Sequence, residues 1–319
     1  MDGILFLFLA LLTIISSIKV AYYANAMDQK TKVSGSFIGG ILLAGVTSLP
    51  ELVTCLTATF INNPYMAIGD IIGSNIFNLF VLAFFDIIFI KKMIFNKISH
   101  RYLYINALLV YLYVILINSI INKGQNIIFN IGMPTIVIII FYIIYILFLG
   151  KINNDHTDTE KVTEVKNVKL KFIFTAIFMV IVSIGLTLIA DKLTLEYPAF
   201  SSSSIGAFLV GVTTSLPEVV SIYALIRMNS YNLAFANIIG SNMFNLLILA
   251  LSDILYRNGS IYLFSDNETL SITKITLYIS ILVFVYIIRR KSFSKITYII
   301  PSIIIVLAYI YLFNTIVMG

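Results

Sequence analysis

The stretches "AGVTSLPELV" (Ala44–Val53) and "VGVTTSLPEVV" (Val210–Val220) each set a proline and then a glutamate in the middle of an apolar run. Proline has no amide hydrogen and its ring crowds the turn behind it, so the carbonyl one turn earlier loses its partner. A charge at the centre of a membrane helix carries an insertion penalty of about 2.5–3.5 kcal/mol. A chain that accepts both costs twice gains something specific from Pro50–Glu51 and Pro217–Glu218.

The surroundings show that the medium is lipid. Of 319 residues, 60% are hydrophobic and 11% charged, and the mean hydropathy is +1.00. These values exclude an ordinary soluble domain. Apolar runs of bilayer length fall at about 3–25, 34–61, 66–90, 102–121, 127–149, 170–191, 203–227, 231–256, 270–288 and 296–316, which predicts ten spans. A cleavable signal peptide competes for the first run because "ANA" follows at 24–26. Asp2 in place of a basic start, the length of the run and Lys19 near its end argue against it.

Basic residues concentrate in the loops at 91–101, 150–171 and 289–295, while the alternate side keeps Lys123, Lys192, Arg257 and Lys274. The positive-inside rule therefore predicts both termini outside, in a plasma (cell) membrane. The net charge of +6 reads as an orientation signal, and a nucleic-acid partner is not expected. The expected partner is the lipid bilayer, with the chain acting as a monomer. Cys55 cannot form an internal disulfide and reads as a buried packing thiol. His100 and His156 lack companions at zinc spacing.

The polar segment over 150–171 separates five spans from five, giving halves at 1–149 and 170–319 around a cytoplasmic linker at 150–169. An offset of 167 residues carries Thr47-Ser48-Leu49-Pro50-Glu51 onto Thr214-Ser215-Leu216-Pro217-Glu218. The same offset carries "IIGSN" at 71–75 onto "IIGSN" at 238–242, Asn78 onto Asn245 and Asp86 onto Asp253. One gapless offset across separate motifs is an internal repeat. Because five is odd, the second copy enters the membrane from the other side. The fold class expected is all-α and integral to the membrane: ten transmembrane helices in two inverted five-helix repeats, with Pro-broken helices at the centre.

Around the glutamates stand only oxygen donors: Thr47, Ser48, Ser74 and Asn78 near Glu51, and Thr214, Ser215, Ser241 and Asn245 near Glu218. Neither motif contains Lys or Arg, so a mobile cation is the simplest counter-charge. Soft ligands are absent, which disfavours copper and zinc. Two carboxylates with hydroxyl, amide and carbonyl oxygens suit Ca²⁺, and the neutral oxygens suit Na⁺. Asp86 and Asp253 lie near span ends and read as solvated or capping groups. Asp70, opposite Asn237, reads either as a helix-start polar group or as support for the site.

At these residues the chain resembles the calcium/cation antiporter superfamily, and the sodium/calcium exchanger branch in particular, through "TSLPE" twice, "GSNIFN" and "GSNMFN". The resemblance implies ten helices with ion sites among the second, third, seventh and eighth spans. It also implies Glu51 and Glu218 as shared carboxylates, and the carbonyls of Ala44 and Gly211 as further sodium ligands. Two departures stand out: Val46 and Thr213 where the family usually has glycine, and neutral Asn78 and Asn245 where members often carry one aspartate.

The function expected is secondary antiport of Na⁺ against Ca²⁺ by alternating access, with no cofactor beyond the transported ions. A proton/calcium exchanger using the two glutamates as carriers is the alternative. A channel fits less well because no symmetric filter loop is present. An enzyme is not expected, since the spans pair no nucleophile with a base.

Overall fold

The computed structural model describes residues 2–30, 33–122, 127–128, 130–151, 165–196, 211–289 and 294–317. Most of the expected linker and the first part of the 203–227 run lie outside them. Among the described residues, eight helices are long and apolar enough to cross a membrane: α1 (Asp2–Lys30), α4 (Pro64–Ile88), α5 (Tyr102–Ile121), α6 (Met133–Lys151), α7 (Val168–Glu196), α9 (Tyr231–Leu255), α10 (Asn267–Ile288) and α11 (Lys295–Val317). A bent pair, α2 (Gly35–Thr47) and α3 (Leu49–Phe60), whose axes differ by 48°, is long and apolar enough when its two parts are taken together. The short helix α8 (Leu216–Arg227) follows a helical turn at 211–214. The run expected at 127–149 starts as a helix only at Met133. Before it, Ile127 and Ile128 pair with Gly132 and Ile131 in a two-residue antiparallel ladder.

The chain divides into two compact units: residues 1–53 with 149–241, and residues 54–148 with 242–319. Each takes one stretch from either half of the sequence. In the first unit α1 packs against α7 and α8; in the second, α10 packs against α5 and α4, and α11 against α4.

Local geometry recurs at the sequence offset. The two prolines sit in the first turn of α3 and α8, where the missing N–H is tolerated. Ser48 (φ −91°, ψ 10°) and Ser215 (φ −85°, ψ 3°) form equivalent junctions before them. Neither junction has a positive φ, so Val46 and Thr213 meet no backbone penalty for lacking the family's glycine. The α3–α4 and α8–α9 turns each use a left-handed asparagine, Asn62 (φ 67°) and Asn229 (φ 59°). Asparagine tolerates that conformation better than other side-chain-bearing residues.

Two further features hold the first unit's broken helix in place. Residues 38–43 form a π-helical turn, a distortion that often marks functional sites. It is packed closely: a Cβ at Gly240 would overlap the backbone of Gly40, and one at Gly39 would lie 2.8 Å from Ala236 Cβ. Small residues here let backbones touch, as in other membrane helix crossings.

Asp86 and Asp253 correct the expectation of solvated groups: both are fully buried. Asp86, near the end of α4, accepts hydrogen bonds from Ile94 N (3.1 Å), Tyr298 Oη (2.5 Å), Ser302 Oγ (2.7 Å) and Tyr286 Oη (3.3 Å). Asp253, near the end of α9, accepts from Thr135 Oγ1 (2.6 Å), Ser260 Oγ (2.7 Å), Gly132 N (2.8 Å) and Ile261 N (2.9 Å). Each caps the backbone eight residues on, as a capping group does, but does so while tying several segments together out of water. A buried carboxylate is stable in that setting because every lone pair finds a donor.

Candidate functional site

The twelve residues picked from the sequence divide between the units. Ala44, Thr47, Ser48, Glu51, Gly211, Thr214, Ser215, Glu218 and Ser241 belong to the first, and Ser74, Asn78 and Asn245 to the second.

In the first unit the two motifs meet reciprocally. Ser48 Oγ donates to Glu218 Oε1 at 2.8 Å, and Ser215 Oγ donates to Glu51 Oε1 at 3.1 Å. Both glutamates are buried, each 1% exposed, and Thr47, Ser48, Thr214 and Ser215 are buried with them. The helix breaks explain how the carboxylates are tolerated there. Glu51 lies in the first turn of α3 and Glu218 in the first turn of α8. A helix N-terminus carries about half a positive charge from its unpaired N–H groups, which favours an anion. The second carboxylate oxygen of Glu218 is buried without a hydrogen-bond partner, as is Ser241 Oγ.

The carbonyls expected as sodium ligands are engaged within the protein. Ala44 O accepts from Ser48 N (3.0 Å) and Thr47 Oγ1 (3.2 Å), and Gly211 O from Ser215 N (3.2 Å) and Thr214 Oγ1 (3.0 Å). Both lone pairs of each carbonyl are thus occupied. An ion can claim them only if the threonine hydroxyls turn away.

The second unit contributes an asparagine lock that composition alone does not disclose. Asn75 Nδ2 donates to Asn242 O (3.4 Å) and Asn242 Nδ2 to Asn75 O (3.2 Å). Asn78 Nδ2 donates to Asn242 Oδ1 and Asn245 Nδ2 to Asn75 Oδ1, each at 3.0 Å. With their amide nitrogens spent on the lock, Asn78 and Asn245 keep buried side-chain carbonyl oxygens that have no partner. An oxygen held this way is an acceptor waiting for a donor or a cation. Ser74 is also buried. Asn75 and Asn242 were visible only as the last letter of "GSN"; their repetition at the same offset was the available signal.

Asp70 is not a helix-start group. Asn63 caps α4, accepting from Met66 N, whereas Asp70 stands further along the helix and accepts from Thr54 Oγ1 at 2.7 Å. Cys55 is buried as expected, with its sulfur 3.1 Å from Ser252 Oγ. Among the described residues, no three or more His, Cys, Asp or Glu side chains gather as a metal cluster.

Long apolar helices, broken where buried carboxylates sit at half-helix N-termini, define an integral membrane protein of the ion-translocating kind. The model for the sodium/calcium exchanger protein family matches residues 3–151 and 168–317, and the chain belongs to that family of membrane antiporters, which are transporters and not enzymes. It is similar to the uncharacterized membrane protein MJ0091 of Methanocaldococcus jannaschii, 30% identical over 217 residues and covering 66% of this chain and 67% of that one. It is also similar to the inner membrane protein YrbG of Escherichia coli, 23% identical over 75% of each chain. The putative antiporter CaxA of Alkalimonas amylolytica is 25% identical over 74% of this chain and 75% of its own. Among solved structures, the sodium-calcium exchanger NCX_Mj, soaked with 2.5 mM Na⁺ and 0.1 mM Sr²⁺, shares the fold with a TM-score of 0.72 at 21% identity, covering 98% of both chains.

Proposed function

We propose that the chain exchanges Na⁺ for Ca²⁺ by alternating access, through ten spans arranged as two inverted five-helix repeats. The observation that carries this reading is the reciprocal pairing of Ser48 with Glu218 and of Ser215 with Glu51. It draws the two repeated carboxylates into one buried, oxygen-rich setting whose charge of −2 matches one divalent ion. The recurrence of the serine junctions, asparagine turns and buried aspartates at one offset supports the repeat. In the first unit Ser241 is proposed as a further oxygen ligand, with the Ala44 and Gly211 carbonyls joining when their threonines release them; in the second, Ser74, Asn78 and Asn245 are proposed as oxygen ligands.

Sodium is preferred to protons as the driving ion because most of these oxygens belong to hydroxyls and amides. Such groups can coordinate Na⁺ but exchange no proton near neutral pH. Reconstituted vesicles loaded with ⁴⁵Ca are expected to release it when Na⁺ is imposed outside with the pH gradient collapsed. With more than two Na⁺ per Ca²⁺, release quickens under an inside-negative potential, which contributes about 2.3 kcal/mol per charge per 100 mV. Release that follows an imposed pH gradient and ignores sodium would transfer the assignment to a proton exchanger.

Both termini are proposed to lie outside a plasma membrane, on the bias of basic residues. In a Cys55→Ala background, single cysteines placed at 97, which is exposed, or 160 should resist an impermeant thiol reagent added outside and react when it is added to inverted vesicles. Labelling from the outside would reverse the orientation.

A further inference from the structure

Beyond the motif glutamates, the first unit buries a second set of polar atoms that the exchange site does not use. Ser221 lies three residues past Glu218 on α8, and Asn237 lies four residues before Ser241 on α9. These spacings keep each on the same helix face as its neighbour, displaced by about one turn, or about 5–6 Å. Both steps lead toward the turn at 228–230 that joins the two helices. Ser221 and Asn237 are each 0% exposed, and Ser221 Oγ, Asn237 Oδ1 and Asn237 Nδ2 all lack a hydrogen-bond partner. An unsatisfied buried polar group costs about 1–3 kcal/mol, and here three atoms at two residues share the defect.

The other copy shows that this layer has a different state. The residues at the same offset are Thr54 and Asp70, and there the hydroxyl donates to the carboxylate at 2.7 Å. That pair satisfies itself. Its counterpart, with Ser for Thr and Asn for Asp, has lost a methyl group and the charge, and its polar atoms stay open.

We propose that Ser221 and Asn237 hold a partly hydrated monovalent cation one helical turn from Glu218, on the side of the 228–230 turn. The chemistry selects the ion. The layer offers neutral oxygens without a carboxylate of its own, which suits Na⁺ better than a divalent ion. Ser221 Oγ and Asn237 Oδ1 are ligands, whereas Asn237 Nδ2 can only donate and needs an acceptor, which a water on the ion supplies. The layer is a staging position: an ion there has shed part of its hydration before Glu218 takes it. With the orientation proposed above, it faces the cytoplasmic approach. This inference deepens the sodium/calcium exchange reading and rests on it.

The test compares wild type with Ser221→Ala, the double variant Ser221→Ala/Asn237→Leu, and Asn237→Asp. The first readout is thermal stability of the purified full chain in detergent, titrated with NaCl against choline chloride at constant ionic strength. Sodium should stabilise wild type, and the half-saturating concentration should rise about threefold in Ser221→Ala and about tenfold in the double variant. Asn237→Asp, which restores the charge found at Asp70, should lower it. The second readout is ⁴⁵Ca release from vesicles, where the sodium half-saturation should rise in parallel while that for calcium moves several-fold less. Unchanged sodium titrations in both Ser221→Ala and the double variant overturn the proposal and leave the layer to water alone. If the double variant does not fold, Ser221→Ala and Asn237→Asp decide by the same criterion. Wild-type calcium release that ignores sodium defeats the exchange reading instead. In that case the stability titration still reports separately whether the layer binds a monovalent cation.

Discussion

Glu51→Gln and Glu218→Gln are each expected to abolish calcium exchange, by at least about a hundredfold, while the protein still inserts and purifies as a single species. Each glutamate sits at a half-helix N-terminus and accepts a hydrogen bond from the serine of the opposite motif. Glutamine keeps the volume and an oxygen acceptor, so the Ser48 and Ser215 bonds can survive. What disappears is one unit of charge. In a medium of effective dielectric near 20, a carboxylate about 4 Å from a divalent ion contributes several kcal/mol, and about 2.7 kcal/mol already corresponds to a hundredfold. Proteoliposome ⁴⁵Ca flux measures the loss, with size-exclusion profiles in detergent as the folding control. Near-normal calcium transport by either variant would reject a shared two-carboxylate site.

The second large effect concerns stability. Asp253→Ala leaves the donors from Thr135, Ser260, Gly132 and Ile261 facing a cavity, and Asp86→Ala does the same to Tyr298, Ser302, Ile94 and Tyr286. At about 1–3 kcal/mol for each buried group left unsatisfied, even strong overlap among them leaves a loss of about 4 kcal/mol or more. That is a large fraction of the about 5–15 kcal/mol that holds a folded domain together. The melting temperature in detergent should fall by about 10 °C or more. Asn, which retains one acceptor oxygen, should fall by less. Variants that do fold should keep the wild-type calcium half-saturation, because these carboxylates tie segments together and are not proposed to touch the ion. An unchanged melting temperature in both alanine variants would show that the buried networks contribute little.

The helix junctions before Pro50 and Pro217 and most span positions were legible in the sequence because their signals are local. A proline beside a glutamate in lipid is anomalous by itself, and a fixed offset needs no geometry. The asparagine lock was not legible, since nothing about "GSN" tells which amide is spent and which carbonyl stays open until α4 and α9 cross. For Asp86 and Asp253 the solvated reading failed for a related reason, while the capping reading held. Position near a span end argues for water, but the partners that bury Asp86 include Tyr298 and Ser302, more than 200 residues away. Ser221 and Asn237 looked like ordinary small polar residues of membrane helices, and only their missing partners in three dimensions set them apart.

The interleaving of the two chain halves within each unit has a consequence for biogenesis. Ser48 must wait for Glu218, 170 residues later, and Asn78 for Asn242, 164 residues later. At a translation rate of about 5–20 residues per second, the first half spends about 10–30 seconds in the bilayer before its counterparts emerge. During that interval a glutamate and several amides face lipid, the translocon or trapped water with no native partner. The nascent first half is therefore a natural client for whatever shields polar helices during insertion, and the protein's yield depends on that wait as well as on the stability of the finished fold.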